Sequence, residues 1–410
     1  MRFIPDQSSA VVRLKLVRDR TRAIKRGYPW IYQDWLQELP PAPAGSRALV
    51  RDRDGSPLAF GMYDPGSPLA VRVVARESEQ LGDALVLERL ERARSWRERL
   101  FPRDGQSQKG SVSARSSGYR LLNGEGDGLP GLVCDRYGDH AVIKLDGDGP
   151  SGFWNLPGIA AWLVERVGVS SVYLKYRSGE EELGRAIVGD PPKGPVQFTE
   201  HGVLFQADIV KGQKTGFFFD QRDNRRRIGA LSSGRTVLNL FGYTGGFSVY
   251  AGLGGATAVT TVDLAKPAIQ DAEQNWALNN LPAARHRGVA ADAFQFLEEA
   301  RSSQERWDIV IADPPSFAPA ERHVEKAKES YQSLFRSSIL STKDGGIVAC
   351  SSCSSHISLG DFLEICQGAA SKARRRATVL GIYGQPEDHP FPLVCEELRY
   401  LKFVTLGIHG

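Results

Sequence analysis

The strongest constraint on this fold is the alternation of apolar strands with amphipathic helices in the second half of the chain. Short apolar runs predict strands, and the longer periodic segments between them predict helices. Because parallel strands need crossover helices, this pattern predicts an α/β fold with a doubly wound sheet. The predicted strands are Thr236–Leu240, Ala258–Val262, Asp308–Ala312 and Gly346–Cys350, and the predicted helices are Gly246–Leu253, Lys266–Asn279, Ala293–Ala300 and Tyr331–Leu340. The segments Ala377–Tyr383 and Tyr400–Leu406 predict an antiparallel pair at the sheet edge.

The first half of the chain has a different pattern. Short strands and turns over residues 11–75 predict a small β-rich module. A helix over Leu85–Leu100, a polar loop over residues 103–118 and further strands predict a mixed α+β segment. At roughly 150 residues per domain, 410 residues suggest two or three domains. We predict three, over residues 1–76, 77–192 and 193–410.

Composition adds the class of protein and one hint about partners. No apolar run approaches the ~20 residues that span a bilayer, and none at the start resembles a signal peptide. Five cysteines do not suggest a disulfide framework, so we expect a soluble, cytoplasmic protein with reduced thiols. The first 30 residues hold eight Lys/Arg against two Asp, which indicates either a phosphate-binding face or an ordinary solvated one. Aromatics beside basic residues in Arg26–Tyr32 either stack on RNA or form the module's core.

The turn after strand Thr236–Leu240 is the predicted cofactor loop. Ligands of doubly wound sheets bind beyond the carboxyl ends of the strands. Gly242, Gly245 and Gly246 let the backbone approach a ligand, and some supply positive φ. Their spacing is not that of a dinucleotide fold, and a tight strand-to-helix turn is the alternative interpretation.

Two carboxylates support the cofactor interpretation. Asp263 ends the next strand, where it can accept hydrogen bonds from a ribose diol. Asp292 follows the third strand region, where it can accept from an adenine amino group or simply cap the next helix. A nicotinamide enzyme would use the same ribose carboxylate, so these residues do not choose the cofactor.

The turn Asp313-Pro314-Pro315-Ser316-Phe317 is the predicted reacting site. Two prolines fix the backbone and remove two amide donors, which leaves a stiff turn after the fourth strand. It holds an acid beside Phe317, which could stack on a base. The alternative is a rigid loop whose Asp bonds to neighbouring amides.

Cys350 and Cys353 have C-x-x-C spacing, which zinc-binding and redox-active cysteine pairs share. Zinc needs about four ligands, and no second pair has the spacing, so we predict no metal site. We predict Cys350 as a buried strand residue and Cys353 as a loop thiol within reach of a substrate.

The pairing of Asp313 with Cys353 indicates chemistry at carbon-5 of a pyrimidine. A thiolate added to carbon-6 makes carbon-5 nucleophilic enough to accept a methyl group from a sulfonium. Asp313 could hold the N3 edge and manage its charge. The candidates for the base that then removes the carbon-5 proton are Asp388, His389, Glu396 and Glu397.

Several segments together resemble the bacterial large-subunit ribosomal RNA methyltransferase I family, which forms 5-methylcytosine in 23S rRNA. The resemblance covers essentially the whole chain. The segments that carry it are Gly124–Leu132, Lys214–Arg225, Asn239–Phe247, Asp313–Phe317, Ser352–Ser354 and Asp388–Pro390.

This resemblance implies an N-terminal PUA-type RNA-binding domain, a central α+β domain and a Rossmann-like methyltransferase domain over the three ranges given above. It implies S-adenosylmethionine as cofactor, 23S rRNA as substrate, no membrane, Cys353 as nucleophile, and it leaves a homodimer open. Asp220 and Arg222 are expected at the methionine end of the cofactor. The other expected cofactor contacts are Asn239, Phe241, Gly242, Thr244, Gly245, Asp263, Asp292 and Asp313, and the expected substrate contacts are Pro314, Pro315 and Phe317.

Four alternatives stay open from the sequence. Many 5-methylcytosine enzymes carry a second cysteine at the proline turn, whereas Asp313 is nearer to the 5-methyluridine enzymes. An exocyclic adenine nitrogen would need no cysteine. A non-catalytic RNA-binding factor and a nicotinamide oxidoreductase are the two alternatives from other functional classes.

Overall fold

The structure is a computed structural model that describes residues 1–4, 11–102, 116–176, 183–212, 214–318 and 321–410. It has two compact units. The first unit comprises Met1–Gly202, Asp208–Phe219 and Glu387–Glu396, and the second comprises Val203–Ala207, Asp220–Pro386 and Glu397–Gly410. Most of the polar loop predicted over 103–118 lies outside the described residues.

The first unit contains two five-stranded sheets. Its strands are β1 (Val12–Lys15), β2 (Trp30–Ile31), β3 (Ser46–Arg51), β4 (Pro57–Tyr63), β5 (Val71–Arg76), β6 (Gly118–Asn123), β7 (Leu132–Tyr137), β8 (His140–Leu145), β9 (Ser171–Lys175), β10 (Gly184–Val188) and β11 (Val196–Glu200). Its helices are α1 (Thr21–Lys25), α2 (Asp83–Leu100), α3 (Asp148–Phe153) and α4 (Leu156–Trp162), which continues into a π-helical turn at Leu163–Val167. The strand orders are β1-β3-β4-β5-β2 and β10-β9-β8-β7-β6. The predicted β-rich module and the α+β segment after it are therefore both present.

The N-terminal sheet has its own hydrophobic core, and the aromatic residues near its start take part in it. Trp35 is buried, and the rings of Tyr28 and Tyr32 pack against it with centroids 6.0 and 5.2 Å away. The guanidinium of Arg20 lies over the Trp35 ring at 4.6 Å. These aromatics thus follow the core interpretation of the sequence.

The second unit is built around a seven-stranded sheet with the order β15-β14-β13-β16-β17-β19-β18. Its strands are β12 (Val203–Ala207), β13 (Thr236–Leu240), β14 (Ala258–Asp263), β15 (His286–Ala290), β16 (Trp307–Ala312), β17 (Thr342–Ser352), β18 (Arg376–Tyr383) and β19 (Lys402–His409). Its helices are α5 (Arg222–Leu231), α6 (Gly246–Leu253), α7 (Lys266–Leu278), α8 (Ala293–Ser302), α9 (Val324–Leu340) and α10 (Leu359–Ala373). The doubly wound sheet predicted from the sequence is confirmed, because β13 to β17 pair in parallel and helices connect them.

The last two strands form the predicted antiparallel pair, but only one of them is an edge strand. β19 runs antiparallel to both β17 and β18, so it lies inside the sheet. β18 forms the edge, and its side chains are largely exposed. Apolar residues fill β19 because it is covered on both faces.

The register of the central strands fixes which residues meet at the carboxyl edge. Leu240 of β13 pairs with Val262 of β14 on one side and with Ala312 of β16 on the other. Ala312 in turn pairs with Cys350 of β17.

Within the part of the chain that the structure describes, no helix is long and apolar enough to cross a bilayer.

Candidate active site

The carboxyl edge of the sheet in the second unit brings the predicted residues together. The residues that follow the four paired positions are Phe241, Asp263, Asp313 and Ser351, from β13, β14, β16 and β17. Because the four strands are parallel, these residues lie in one row at the edge where ligands of such sheets bind. The register therefore joins the predicted cofactor side to the predicted reacting side.

The loop after β13 has a strained backbone. Phe241 and Tyr243 have φ of 55° and 45°, and Gly245, which precedes α6, has φ of 79°. A side chain in the left-handed region costs roughly 1–3 kcal/mol and persists where the surroundings enforce it, often at ligand sites. The sequence placed positive φ on the glycines, and the structure places it also on two aromatic residues.

The glycines of this loop are required by packing within the protein. A Cβ on Gly242 would lie 2.4 Å from Cγ2 of Thr261, and one on Gly245 would lie 2.7 Å from Cβ of Ala272. Thr244 is buried, and its carbonyl accepts a hydrogen bond of 2.9 Å from Nδ2 of Asn275. The loop is therefore a tight strand-to-helix turn, which is the alternative interpretation of the sequence. It also lies at the carboxyl edge of the sheet.

Asp263 at the end of β14 organises the loop. Its Oδ2 accepts from the Tyr243 amide and its Oδ1 from the Ala265 amide, each at 2.9 Å. A carboxylate offers about four lone-pair sites, so two remain for a diol. The next residue, Leu264, is 75% exposed, which is unusual for a leucine and suits a flat apolar ligand. Sequence reasoning missed Leu264, although an apolar residue after the acid at a strand end was a signal.

Asp292 is the N-cap of α8. Its Oδ1 accepts from the amides of Phe294 and Gln295 at 2.9 and 3.0 Å. The capping role that the sequence offered as an alternative is confirmed. Because the side chain is exposed, it is also open to a ligand at this edge.

Beneath the loop, Asn239 begins a buried polar chain. Its Nδ2 donates to Ser248 Oγ at 2.9 Å, which lies 2.6 Å from Thr261 Oγ1, and that oxygen lies 2.7 Å from Nε2 of His286. Burial lowers the pKa of His286 to about 4. Oδ1 of Asn239 is buried and has no hydrogen-bond partner among the described residues. A buried amide oxygen without a donor suits a ligand that brings one.

The segment before α5 reaches the reacting side through Gln221. A 3-10 turn at Phe219–Gln221 leads directly into α5. Nε2 of Gln221 donates to Oδ1 of Asp313 and to Oγ of Ser351, each at 2.9 Å. Its Oε1 accepts from Asn224 at 2.7 Å. Gln221, which the sequence did not single out, thus links the ends of β16 and β17.

Its two neighbours, Asp220 and Arg222, are both buried. Oδ2 of Asp220 accepts from the Tyr400 hydroxyl at 2.9 Å. Nε of Arg222 lies 3.5 Å from a carboxylate oxygen of Asp223. Their expected contact with the methionine end of the cofactor stays a prediction.

The proline turn after β16 is partly buried. Pro314 is buried, whereas Pro315 is exposed and Asp313 and Phe317 are half-buried. The Phe317 ring packs on the ring of Tyr331 with centroids 4.7 Å apart. Part of Phe317 is therefore used by the fold, and its expected contact with a base stays a prediction.

Around Cys353, a buried hydroxyl cluster fixes the loop. The Tyr331 hydroxyl lies 3.1 Å from Oγ of Ser352 and 3.0 Å from Oγ of Ser354, and Ser354 lies 2.8 Å from Oγ of Ser316. The cysteine itself is half-buried, whereas Cys134, Cys350, Cys366 and Cys395 are fully buried. This cluster, which we call the Tyr331 cluster, ties the cysteine loop to the proline turn.

The C-x-x-C pair separates as the sequence predicted. Cys350 lies within β17 and is buried, and burial together with its contact to Cys366 raises its pKa. Among the described residues, no group of three or more His, Cys, Asp or Glu could hold a metal ion.

The candidate bases divide between the two units. Asp388 and His389 lie in the first unit, buried, with Nδ1 of His389 2.9 Å from Oδ1 of Asp388. Oδ2 of Asp388 accepts from the Arg120 amide, and the role of this pair as a base stays a prediction. Glu396 lies in the first unit and Glu397 in the second, and both are exposed.

Comparisons with known proteins decide the family. The profile of the S-adenosylmethionine-dependent methyltransferases matches residues 156–376, and that of a PUA-like domain matches residues 14–76. A ribosomal RNA large subunit methyltransferase of Deinococcus radiodurans is 38% identical, with 98% of each chain covered. Ribosomal RNA large subunit methyltransferase I of Vibrio parahaemolyticus is 34% identical over 94% of this chain and 97% of its own. The chain belongs to the family of S-adenosylmethionine-dependent ribosomal RNA large subunit methyltransferases.

Solved structures agree on the fold of this family. A Streptococcus mutans protein described as a SAM-dependent methyltransferase matches with a TM-score of 0.83 at 23% identity, over 97% of this chain and 100% of its own. A methyltransferase structure complexed with SAH matches with a TM-score of 0.84 at the same identity and coverage. The predicted fold class, with a PUA-like domain before a Rossmann-like methyltransferase domain, is confirmed.

Family membership makes this chain an S-adenosylmethionine-dependent methyltransferase, so the nicotinamide and non-catalytic alternatives are wrong. The carboxyl edge fits that cofactor on its own chemistry. Asp263 offers acceptors for a diol, Leu264 offers an exposed apolar surface beside it, and the unpartnered Asn239 oxygen offers a further acceptor.

Proposed function

We propose that this methyltransferase forms 5-methylcytosine in the 23S rRNA of the large ribosomal subunit, with Cys353 as nucleophile. The observation that carries the proposal is a half-exposed thiol held by a buried cluster at the same sheet edge as Asp263 and Asp313. The names of the relatives, which are ribosomal RNA large subunit methyltransferases, support the rRNA of the large subunit as the substrate.

The cofactor half of the edge would hold S-adenosylmethionine through the residues of β13, β14 and the start of α8. Asp263 would accept from the ribose hydroxyls, Leu264 would cover one face of the adenine, and Asp292 would accept from its amino group. Asp220 and Arg222 would approach the methionine end, and the loop from Asn239 to Gly245 would shape the pocket. When bound, the cofactor supplies a methyl group that is activated by its sulfonium.

Cys353 starts the reaction by adding its thiolate to carbon-6 of the base. The sulfur–carbon bond forms as the electron pair of the 5,6 double bond moves toward carbon-5 and the ring. Carbon-5 then bonds the methyl carbon, while the pair of the methyl–sulfur bond returns to the sulfonium. A base removes the carbon-5 proton, the double bond forms again, and the Cys353 thiolate leaves with its electron pair. Glu397, exposed in the second unit, is our candidate for that base.

Asp313 would orient the pyrimidine during these steps. Gln221 donates to Oδ1 of Asp313 and so holds the carboxyl group in place to face the N3 edge of the base. Pro314, Pro315 and Phe317 would line the same base. Because Gln221 also bonds Ser351, it sets the distance between the acid and the cysteine loop.

A second candidate product is 5-methyluridine. The carboxylate at the proline turn supports it, since an ionised Asp313 accepts readily from the N3–H of uracil. The covalent step through Cys353 is the same for both bases. Cys353 therefore does not distinguish cytosine from uracil, and only the methylated product identifies the target base.

The N-terminal module would bring the rRNA to this site. Its PUA-like match and the basic residues of the first 30 positions support a phosphate-binding surface. We retain the three domain ranges, a cytoplasmic location and a homodimer as predictions.

Mass spectrometry of 23S rRNA from cells with and without the gene tests this function. We expect one 5-methylcytosine to disappear, to return with the wild-type gene, and to stay absent with a Cys353→Ala gene. A 5-methyluridine that disappears instead would favour the second candidate. An unchanged modification map would refute the rRNA assignment.

A further inference from the structure

Lys402 is a buried lysine directly beside the nucleophile loop. It begins β19, where the register pairs it with Ser352, the residue before Cys353. Only 4% of Lys402 is exposed. Its Nζ donates to the carbonyls of Ser354 and, at 2.9 Å, of Tyr400. The backbone of Lys402 is thus paired with the residue before the thiol, and its ammonium group is bonded to the residue after it.

These contacts leave the charge of Lys402 without an ion-pair partner among the described residues, because both acceptors are neutral carbonyls. A buried ammonium is costly unless an opposite charge compensates it. Burial accordingly lowers the pKa of Lys402 to about 8. A group of this kind, kept in a site despite its cost, is a candidate for function.

Three other titratable or charged side chains act on Lys402, namely Cys353, Arg399 and Asp361. The positive charge of Arg399 disfavours the charged form of Lys402. Asp361 is already engaged, since it lies 2.8 Å from Nζ of Lys328 and caps α10 through Ser358. An ionised Cys353 favours the charged lysine more than Asp361 does. Burial raises the pKa of the Tyr331 hydroxyl, and the charge of Cys353 raises it further.

We propose that the Lys402 ammonium stabilises the Cys353 thiolate, both before it attacks the base and when it leaves. The inference rests on the proposed function only in taking Cys353 as the nucleophile. A neighbouring lysine lowers the pKa of a thiol by favouring its charged form. Lys402 is in this sense a positioning and activating residue, since its own bonds go to the loop and not to the substrate.

Alkylation of Cys353 by iodoacetamide measures its thiolate without any methyl transfer. The four other cysteines are buried, so peptide mass spectrometry of the intact fold follows this one thiol. We expect a midpoint clearly below the ordinary value of about 8.5 in the wild type. In Lys402→Met we expect the midpoint to rise and the rate at pH 7 to fall roughly tenfold. Lys372→Met, at an exposed lysine on α10, is the matched control and should alkylate like the wild type.

Structural damage and electrostatics are separated by two further measurements. Removing a buried charge for an apolar side chain of similar length should leave the melting temperature unchanged or raised. Lys402→Arg keeps the charge and should keep the low midpoint. A wild-type midpoint at or above about 8.5 overturns the proposal even if Lys402→Met does not fold. An unchanged midpoint in a folded Lys402→Met protein overturns it as well.

The proposed function fails in a different way. If Cys353→Ala still methylated rRNA, the nucleophile assignment would be wrong while a shifted alkylation midpoint would stand. If methylation required Cys353 but its midpoint ignored Lys402, only the present inference would fall.

Discussion

The two halves of the carboxyl edge are built by different means. The cofactor half, formed by Phe241–Gly246 and Asp263, is shaped by backbone: strained φ angles, glycines in contact with side chains, and amides bonded to one carboxylate. The reacting half, formed by the Asp313 turn and the Cys353 loop, is held by buried side chains that bond to each other. Substitutions in the first half should therefore change cofactor affinity, and those in the second should change turnover.

The largest effect is expected from Cys353→Ala. Removal of a nucleophile lowers turnover by roughly 10⁴-fold or more, whereas S-adenosylmethionine should bind as before. Single-turnover methylation of an rRNA fragment and calorimetry with the cofactor measure the two quantities. Ser355→Ala, at an exposed residue of the same loop, is the control. A variant that loses cofactor affinity to the same extent would erase the distinction between the halves.

Within the cofactor half, the largest effect is expected from Gly242→Ala. The added methyl would meet Cγ2 of Thr261 at 2.4 Å, and overpacking of this kind costs about 2 kcal/mol of unfolding free energy. Cofactor affinity should fall about tenfold, because a shift of about 1 Å disturbs the loop. Adding Thr261→Ser removes the clashing carbon but keeps the hydroxyl, so it should restore part of both losses. Normal binding by the single variant would contradict the packing argument.

Gln221→Leu tests the link within the reacting half. Loss of an amide that orients a catalytic carboxylate lowers turnover by about 30-fold, as for other orienting partners. The dissociation constant of S-adenosylmethionine should change less than about twofold, because the bonds of Gln221 among the described residues go to Asp313, Ser351 and Asn224. Steady-state kinetics with calorimetry separate the two, with Gln332→Leu on α9 as control. If the variant lost only cofactor affinity and kept its turnover, the assignment of Gln221 to the reacting half would be wrong.

The polar chain under the cofactor half predicts a pH-dependent stability. His286 has a pKa of about 4 in the folded protein against about 6.5 unfolded, so the unfolded chain binds more protons between these values. The contribution of His286 to stability is therefore complete above about pH 6.5 and declines as the pH falls toward 4, by about 3 kcal/mol. Urea unfolding at several pH values should show this loss in the wild type and in His356→Gln. It should be reduced in His286→Gln, and an identical decline in that variant would exclude His286 as its source.

Tyr331→Phe should give the smallest effect. It removes the hydroxyl that bonds Ser352 and Ser354 but keeps the ring packed on Phe317. We expect a loss of about 1 kcal/mol in stability and a fall of roughly fivefold in turnover, with cofactor affinity kept. Chemical denaturation and kinetics check both, and Tyr383→Phe serves as control. Unchanged turnover would mean that the Tyr331 cluster does not position Cys353.

The same contrast explains what could be predicted from the sequence. The cofactor half follows from local signals, since glycines and Asp263 stand directly after apolar strands. The reacting half joins Gln221, Tyr331 and Lys402, which are far apart in the chain, and no spacing in the sequence indicates that they meet. Tyr331 looks like a helix-core residue, and a lysine at a strand start looks exposed. The pairing of β17 with β19 and the bond from Nζ to the Ser354 carbonyl show that Lys402 contacts the loop.

Local details were also missed for physical reasons. α10 was not predicted, although Ser358 and Asp361 form a capping box that marks its start. The glycines were expected to make room for a ligand, and the structure shows that Gly242 makes room for Thr261. Close packing between distant residues leaves no trace in a short window of sequence.

The position of β19 has a consequence for when this enzyme can first act. β19 is the last strand in chain order, yet it lies between β17 and β18 and carries Lys402. Chains leave the ribosome from the N-terminus at about 5–20 residues per second, and domains fold as units. The sheet of the second unit therefore stays incomplete until residues 402–409 have been translated. A nascent chain that has already exposed Cys353 still lacks the strand that carries Lys402, and we expect it to stay inactive until residues 402–409 have emerged.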